Sequence, residues 1–273
     1  MPYANNEGVR IHYEVEGNGP PLVLLHGLNL VGSESFRANG YVEPLKEKYQ
    51  LILIDVRGHG ASDKPHKPEA YRMKTLAADI VAVLDQLKVR KAHFLGYSMG
   101  GFIGFALAKY APERFHSMII GGGHPYKPSA EEEAEFSSII ERYKKGKDAV
   151  IADAERRGIK MAPTYRAKAM AADTEALVAL LSSEDQTSSF EEVLPTMSMP
   201  CLIYVGEKDT SYSGARKCAE SMPNATFVSL PNLDHRGAGA QSSIILPYII
   251  KFLDKLSQTQ RYKGPVARTA RTR

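Results

Sequence analysis

Short apolar runs alternate along this chain with segments whose apolar residues recur at helical spacing. Val9–Glu16, Pro21–Leu25, Leu51–Ile54, Lys91–Leu95, Ser117–Ile120, Cys201–Val205 and Ala225–Leu230 read as strands. Several of them are continuously apolar rather than alternating, the pattern of strands covered on both faces. Thr75–Lys88 carries Leu76, Ile80, Val83, Leu84 and Leu87 in one stripe and reads as a helix. So do Met99–Tyr110, which follows a glycine-rich turn and ends near Pro112, and Ile244–Leu256. Strand and helix in alternation predict an α/β fold, a mostly parallel sheet with helices on both faces.

One section breaks the alternation. From about His124 to Pro195 no segment reads as a strand. Ser129–Tyr143 opens on the capping-box pair Ser129 and Glu132 and places Phe136, Ile139, Ile140 and Tyr143 on one face. Lys147–Arg157 reads as a helix that stops at Gly158, and Asp173–Ser182 as another, with Leu177, Leu180 and Leu181 apolar. The chain therefore divides into a core (1–123 and 196–257), a helical insertion (124–195) and a tail (258–273). The run Glu131-Glu132-Glu133 reads as a solvated first turn, favoured by the helix dipole and given no chemical role.

Composition adds limits. With 273 residues and 43% hydrophobic content, the chain can bury a large core. The net charge of +4 is carried by the tail, where Arg261, Lys263, Arg268, Arg271 and Arg273 stand with no acid among them. The remainder is close to neutral and offers no basic face for nucleic acid. The tail itself is polar, contains Gly264-Pro265, and reads as disordered. No apolar run is long enough to span a bilayer, and the first residues lack a basic stretch followed by an apolar signal core, so a cytoplasmic location is expected. Cys201 and Cys218 are the only cysteines, too few for a disulfide framework, and no His/Cys cluster has metal-ligand spacing; Cys201 reads as a core residue. No metal and no cofactor are expected.

The chemistry is concentrated at Gly96-Tyr97-Ser98-Met99-Gly100. A strand that ends in G-x-S-x-G and turns at once into a helix is a nucleophile elbow. The tight turn forces Ser98 into a strained conformation that exposes its hydroxyl. Gly96 and Gly100 stand where side chains would collide, and the helix N-terminus faces the position of a developing oxyanion.

The elbow is one of four blocks. The others are Leu25-His26-Gly27-Leu28, then Asp55-Val56-Arg57-Gly58-His59-Gly60-Ala61-Ser62, then Gly206-Glu207-Lys208-Asp209 with Leu233-Asp234-His235. Together and in this order the chain resembles α/β-hydrolase-fold serine hydrolases, carboxylesterase-like, from about Val9 to Leu256. The resemblance implies an eight-stranded sheet with a helical cap inserted after the sixth strand, where the strand-free section lies. It places the base in the loop after the last strand, where His235 stands alone among eight histidines, and the orienting acid at Asp209 rather than Glu207. Asp234 then reads as a local turn residue, and His26 and His59 as structural histidines of their turns. An oxyanion hole made by the backbone N–H groups of Met99 and Leu28 is expected. Asn29, Tyr97, His124, Tyr126, Tyr143 and Tyr165 are the candidates for the substrate pocket, alongside internal helix packing as the other role for the residues of the insertion.

The expected activity is cleavage of a small carboxylic ester or lactone through an acyl-enzyme, with a small molecule as partner and neither nucleic acid nor membrane involved. A carbon–carbon bond hydrolase of aromatic degradation and a ligand-binding receptor on the same scaffold stand as alternatives. The absence of tryptophan weakens the likeness to haloalkane dehalogenases, perhydrolases and proline iminopeptidases, and a serine at the elbow departs from the aspartate of epoxide hydrolases.

Overall fold

The computed structural model describes residues 2–158 and 161–262 of the chain. Eight strands form one sheet: β1 (Tyr3–Asn6), β2 (Val9–Glu16), β3 (Pro21–Leu25), β4 (Gln50–Ile54), β5 (Ala92–Tyr97), β6 (Phe115–Gly121), β7 (Cys201–Gly206) and β8 (Ala225–Leu230). Their order is β1-β2-β4-β3-β5-β6-β7-β8. β2 runs antiparallel to β1 and β4, and every later pair is parallel. The sheet is thus mixed but mostly parallel. All seven runs read as strands are strands. β1 was not legible as one, because Tyr-Ala-Asn-Asn has neither apolar alternation nor β-branched residues; it is an edge strand paired with β2 alone and fastened by Asn6, whose amide donates to Asp79.

The helices between β3 and β6 are α1 (Glu34–Ala38), α2 (Val42–Lys46), α3 (Met73–Gln86) and α4 (Met99–Tyr110). Four more, α5 (Ala130–Lys144), α6 (Lys147–Arg156), α7 (Pro163–Met170) and α8 (Thr174–Leu181), lie between β6 and β7, with no strand among the described residues there. α9 (Tyr212–Glu220), α10 (His235–Ala240) and α11 (Ser242–Tyr262) complete the chain. α11 runs five residues into the expected tail because nothing before Gly264-Pro265 stops a helix; residues 263–273 lie outside the described residues.

The strand alternation sorts side chains into two cores. Val23, Leu25, Ile52, Ile54, Phe94, Ile120 and Ile203 face one side and pack with α3, α4, α8 and α9. Leu22, Leu24, Leu51, Leu53, Leu95, Ile119 and Leu202 face the other and pack with α1, α2 and α11. This period-two split explains why the central strands are apolar without interruption. A third, smaller cluster joins Val31 to Ile151 and Ala169, with Leu30, Met161, Tyr165 and Met170 packed against it, where the insertion meets the loop after β3.

The insertion is fastened to the core by polar contacts. His66 Nε2 lies 2.8 Å from Asp173, Lys168 Nζ 2.8 Å from Glu34, Lys109 Nζ 2.7 Å from Glu192, and the Met73 N–H donates to Asp185 at 2.9 Å.

Candidate active site

β5 ends at Tyr97 and α4 begins at Met99, leaving Ser98 alone in the turn at φ 53°, ψ −118°. That conformation is disfavoured for a residue with a Cβ. It is held by the Ser98 N–H donating to the Gly121 carbonyl at 2.8 Å, and by the close packing of two glycines. A Cβ on Gly96 would lie 2.4 Å from the Gly100 carbonyl oxygen, and one on Gly100 only 2.1 Å from that of Leu25. Only glycine lets the elbow fold back on itself and against β3.

The loop after β3 lies beside the elbow. A Cβ on Gly27 would stand 3.1 Å from the Ser98 Cβ, so the Gly27–Leu28 turn borders the Ser98 hydroxyl. Asn29 builds this turn: its amide donates to the Gly27 and Gly32 carbonyls, and its oxygen accepts from the Val31 N–H at 2.7 Å. His26 braces it from below, with Nδ1 donating to the Gly27 carbonyl (2.8 Å) and Nε2 accepting from the Val56 N–H (3.1 Å). His59 packs edge-on against His26, with ring centroids 4.7 Å apart. Burial pushes both histidines down, His59 to about 3, so both are neutral supports. The Asp55 carboxylate joins the two turns, accepting from the Ser33 and Ala61 N–H groups and from His12. Gly32 and Gly60, both at positive φ, leave no room for a Cβ against it.

Three side chains from distant parts of the chain meet at the carboxyl end of the parallel strands. His235 Nε2 is 2.9 Å from Ser98 Oγ, and His235 Nδ1 is 2.8 Å from Asp209 Oδ2. The other Asp209 oxygen accepts from the Ser211 N–H (3.0 Å) and hydroxyl (2.8 Å). Glu207, the rival acid, turns outward to Ser229 and the Asn232 N–H. Asp234 caps α10 by accepting from the Gly237 N–H. For Asp209, burial favours the neutral acid, but the hydrogen bond and charge of His235, with Ser211, outweigh it and hold the carboxyl below its ordinary range. For His235, burial opposes the imidazolium, but the Asp209 hydrogen bond and charge, with smaller help from Glu135 and Asp234, raise it above its ordinary value. An imidazole so held can take the Ser98 proton on Nε2 while Nδ1–H stays on the carboxylate.

The match to alpha/beta hydrolase fold proteins covers residues 20–200. The chain belongs to the α/β-hydrolase-fold family. Within this family it is 36% identical to 3-oxoadipate enol-lactonase 2 of Acinetobacter baylyi, over 42% of each chain. It is 28% identical to the pimeloyl-[acyl-carrier protein] methyl ester esterase of Aeromonas hydrophila, over 84% of this chain and 87% of that one. The chain spans less than half the length of the first curated relatives it matches. Among solved structures, the enol-lactonase of Burkholderia xenovorans superposes with a TM-score of 0.76 at 23% identity, over 93% of this chain and all of that one.

In this α/β-hydrolase-fold chain the pocket candidates separate. Tyr97 turns into the second core, against Tyr204, and its hydroxyl donates to the His235 carbonyl, so it holds the main chain at His235. Asn29 is absorbed by its own loop, as above. His124 is engaged at both nitrogens: Nε2 lies 2.8 Å from Glu132, and Nδ1 accepts from the Tyr126 N–H. Tyr126 reaches Ser221 at the far end of α9, about 14 Å of helix from the Asp209 end, and lies under the Lys217 ammonium. Tyr143 is buried in the first core. Tyr165, with Leu30, Met161 and Met170, packs against the cluster of Val31, Ile151 and Ala169. The acidic run also differs from expectation. Glu132 is only 17% exposed at its side chain, since it closes the capping box with Ser129 and binds His124.

Sequence reasoning missed Ser211, whose N–H and hydroxyl both donate to Asp209, and Thr210, whose hydroxyl donates to Glu135 of α5 at 3.0 Å. Neither residue carries a local signal; only the Thr-Ser pair directly after Asp209 could have drawn attention. No group of three or more His, Cys, Asp or Glu side chains able to hold a metal occurs among the described residues, and no helix among them is long and apolar enough to cross a membrane.

Proposed function

We propose that this protein is a serine hydrolase that cleaves a small carboxylic ester or lactone through an acyl-enzyme, with residues 124–195 acting as its cap. The observation that carries the reading is the continuous Ser98–His235–Asp209 hydrogen-bond chain, 2.9 and 2.8 Å, beneath a strained serine. Ser98 Oγ gives its proton to His235 Nε2 and attacks the substrate carbonyl carbon. The oxyanion sits on the N–H groups of Leu28 and Met99; one such donor is worth about 10²–10³ in turnover. The tetrahedral intermediate expels the alcohol oxygen, which takes the proton from His235. Water, deprotonated by His235, then attacks the acyl-enzyme, and the carboxylic acid leaves as Ser98 regains its proton.

The substrate class is supported by two considerations. The relatives above are named for ester and lactone bonds, and the side chains where the cap meets the loop after β3 (Leu30, Met161, Tyr165 and Met170), like Leu28 in the turn beside Ser98, are apolar or aromatic, a character that would suit a small acyl or alcohol group.

The test is a fluorophosphonate probe followed by turnover assays on short p-nitrophenyl esters, lactones and vinylogous 1,5-diketones. Labelling of Ser98 with multiple turnovers on esters or lactones is expected. Preference for diketones would move the assignment to carbon–carbon bond hydrolysis, and an unlabelled Ser98 in folded protein would favour a ligand-binding receptor.

A further inference from the structure

One face of α5 lies along the segment that carries Asp209. At its start Glu132 holds His124, whose ring fills the space over Gly214, where a Cβ would stand 2.0 Å from the ring. One turn later Glu135 accepts from the hydroxyl of Thr210, the residue after Asp209. The cap therefore touches the acid loop through a carboxylate bonded to the residue that follows Asp209.

We propose that Glu135 is a positioning residue, which through Thr210 sets the cap against the acid loop and adds a second negative charge that stabilises the imidazolium formed on His235 during turnover. This rests on the reading of Ser98, His235 and Asp209 as nucleophile, base and acid. The His235 ring meets Asp209 from the β7 loop and Ser98 and Tyr97 from the elbow, and it feels the charges of Glu135 from the cap and Asp234 from its own loop. The charge of Arg236, next to His235 in the chain, also reaches Tyr165 of the cap. Of these carboxylates, Glu135 alone belongs to the insertion between β6 and β7. Cap docking and the basicity of the catalytic imidazole are thereby linked.

Two variants separate the charge from the tether. Glu135→Gln keeps an oxygen for the Thr210 hydroxyl and removes the charge. Thr210→Val keeps the charge and removes the tether. In Glu135→Gln the acid limb of kcat/KM, and the His235 ring titration followed by NMR, should move down by about 0.2–0.7 pH unit, the scale of one partly solvated charge pair. The difference from wild type should vanish in 1 M salt, where screening acts within about 3 Å. Thr210→Val should move both in the same direction, and the double variant no further than Glu135→Gln alone. A Glu135→Gln titration that coincides with wild type at low salt, in protein with unchanged melting temperature, overturns the proposal and leaves the hydrolase reading intact. Wild-type protein that neither labels at Ser98 nor turns over overturns the hydrolase reading itself, and the NMR titration still decides the electrostatic claim.

Discussion

Replacing Asp209 by asparagine should cost about three to four orders of magnitude in turnover, and the structure shows why so small a change reaches so far. In the wild type one carboxylate oxygen accepts both Ser211 bonds, and the other accepts the His235 Nδ1–H. The Ser211 N–H can only donate, so the asparagine oxygen must stay there. Its NH₂ group then faces His235 Nδ1. The imidazole is driven to the tautomer with its proton on Nε2, which can no longer accept from Ser98. The alternative flip puts two donors face to face at a side chain only 1% exposed, at a cost of about 1–3 kcal/mol, or roughly 5- to 150-fold in the competent population. Loss of the carboxylate charge beside the imidazolium supplies the remainder. Turnover of p-nitrophenyl butyrate at pH 8 measures the effect, with a thermal melt to show that the variant is folded. A folded variant within tenfold of wild type would refute the tautomer argument and the role given to Asp209.

Other outcomes are also expected. Activity should fall on acidification through a midpoint above 6.5, since the partners of His235 favour its charged form in the folded protein; a pH–rate profile whose acid limb lies below 6 would contradict it. Gly100→Ala should destabilise by about 3 kcal/mol or more, because its methyl group would lie 2.1 Å from a main-chain oxygen of β3, and urea denaturation measures this. Asp79→Ala should cost about 3–5 kcal/mol by the same method, since it strands the buried Arg57 guanidinium, now held by two 2.6 Å bonds. Stability should decline as pH falls below about 6.5. His26, His59 and His93 have folded-state values below the unfolded one, so the unfolded chain takes up protons that the folded chain refuses, at about 1.4 kcal/mol per pH unit for each fully shifted group; the window for His59 extends to about 3 and for His93 to about 4. A urea midpoint independent of pH between 7 and 5 would count against this.

Much of the site was legible because its signals are local. G-x-S-x-G between an apolar strand and a helix encodes the strained turn in five residues, and the capping box at Ser129 forms as its spacing requires. The seven apolar runs and the strand-free section also stand in the chain as periodicities. What the sequence left open was direction. Tyr97 occupies an elbow position from which a side chain can face either core, and packing against Tyr204, Gly122 and Gly239 turned it away from the pocket. Glu207 and Asp209 are two residues apart on one loop, and only the sheet, by bringing the β8–α10 loop beside that of β7, decides which of them meets His235.

The sequence by itself determined seven of the eight strands, the longer helices of the core, the place of the insertion and the identity of the strained serine, because each depends on hydrogen bonding and apolar spacing within a few residues. The tertiary structure decided the distant partners: Glu135 on Thr210 and Glu207 on Ser229. Those contacts join segments up to 75 residues apart, and no local pattern records which of many possible polar pairs chain folding will bring within hydrogen-bonding reach.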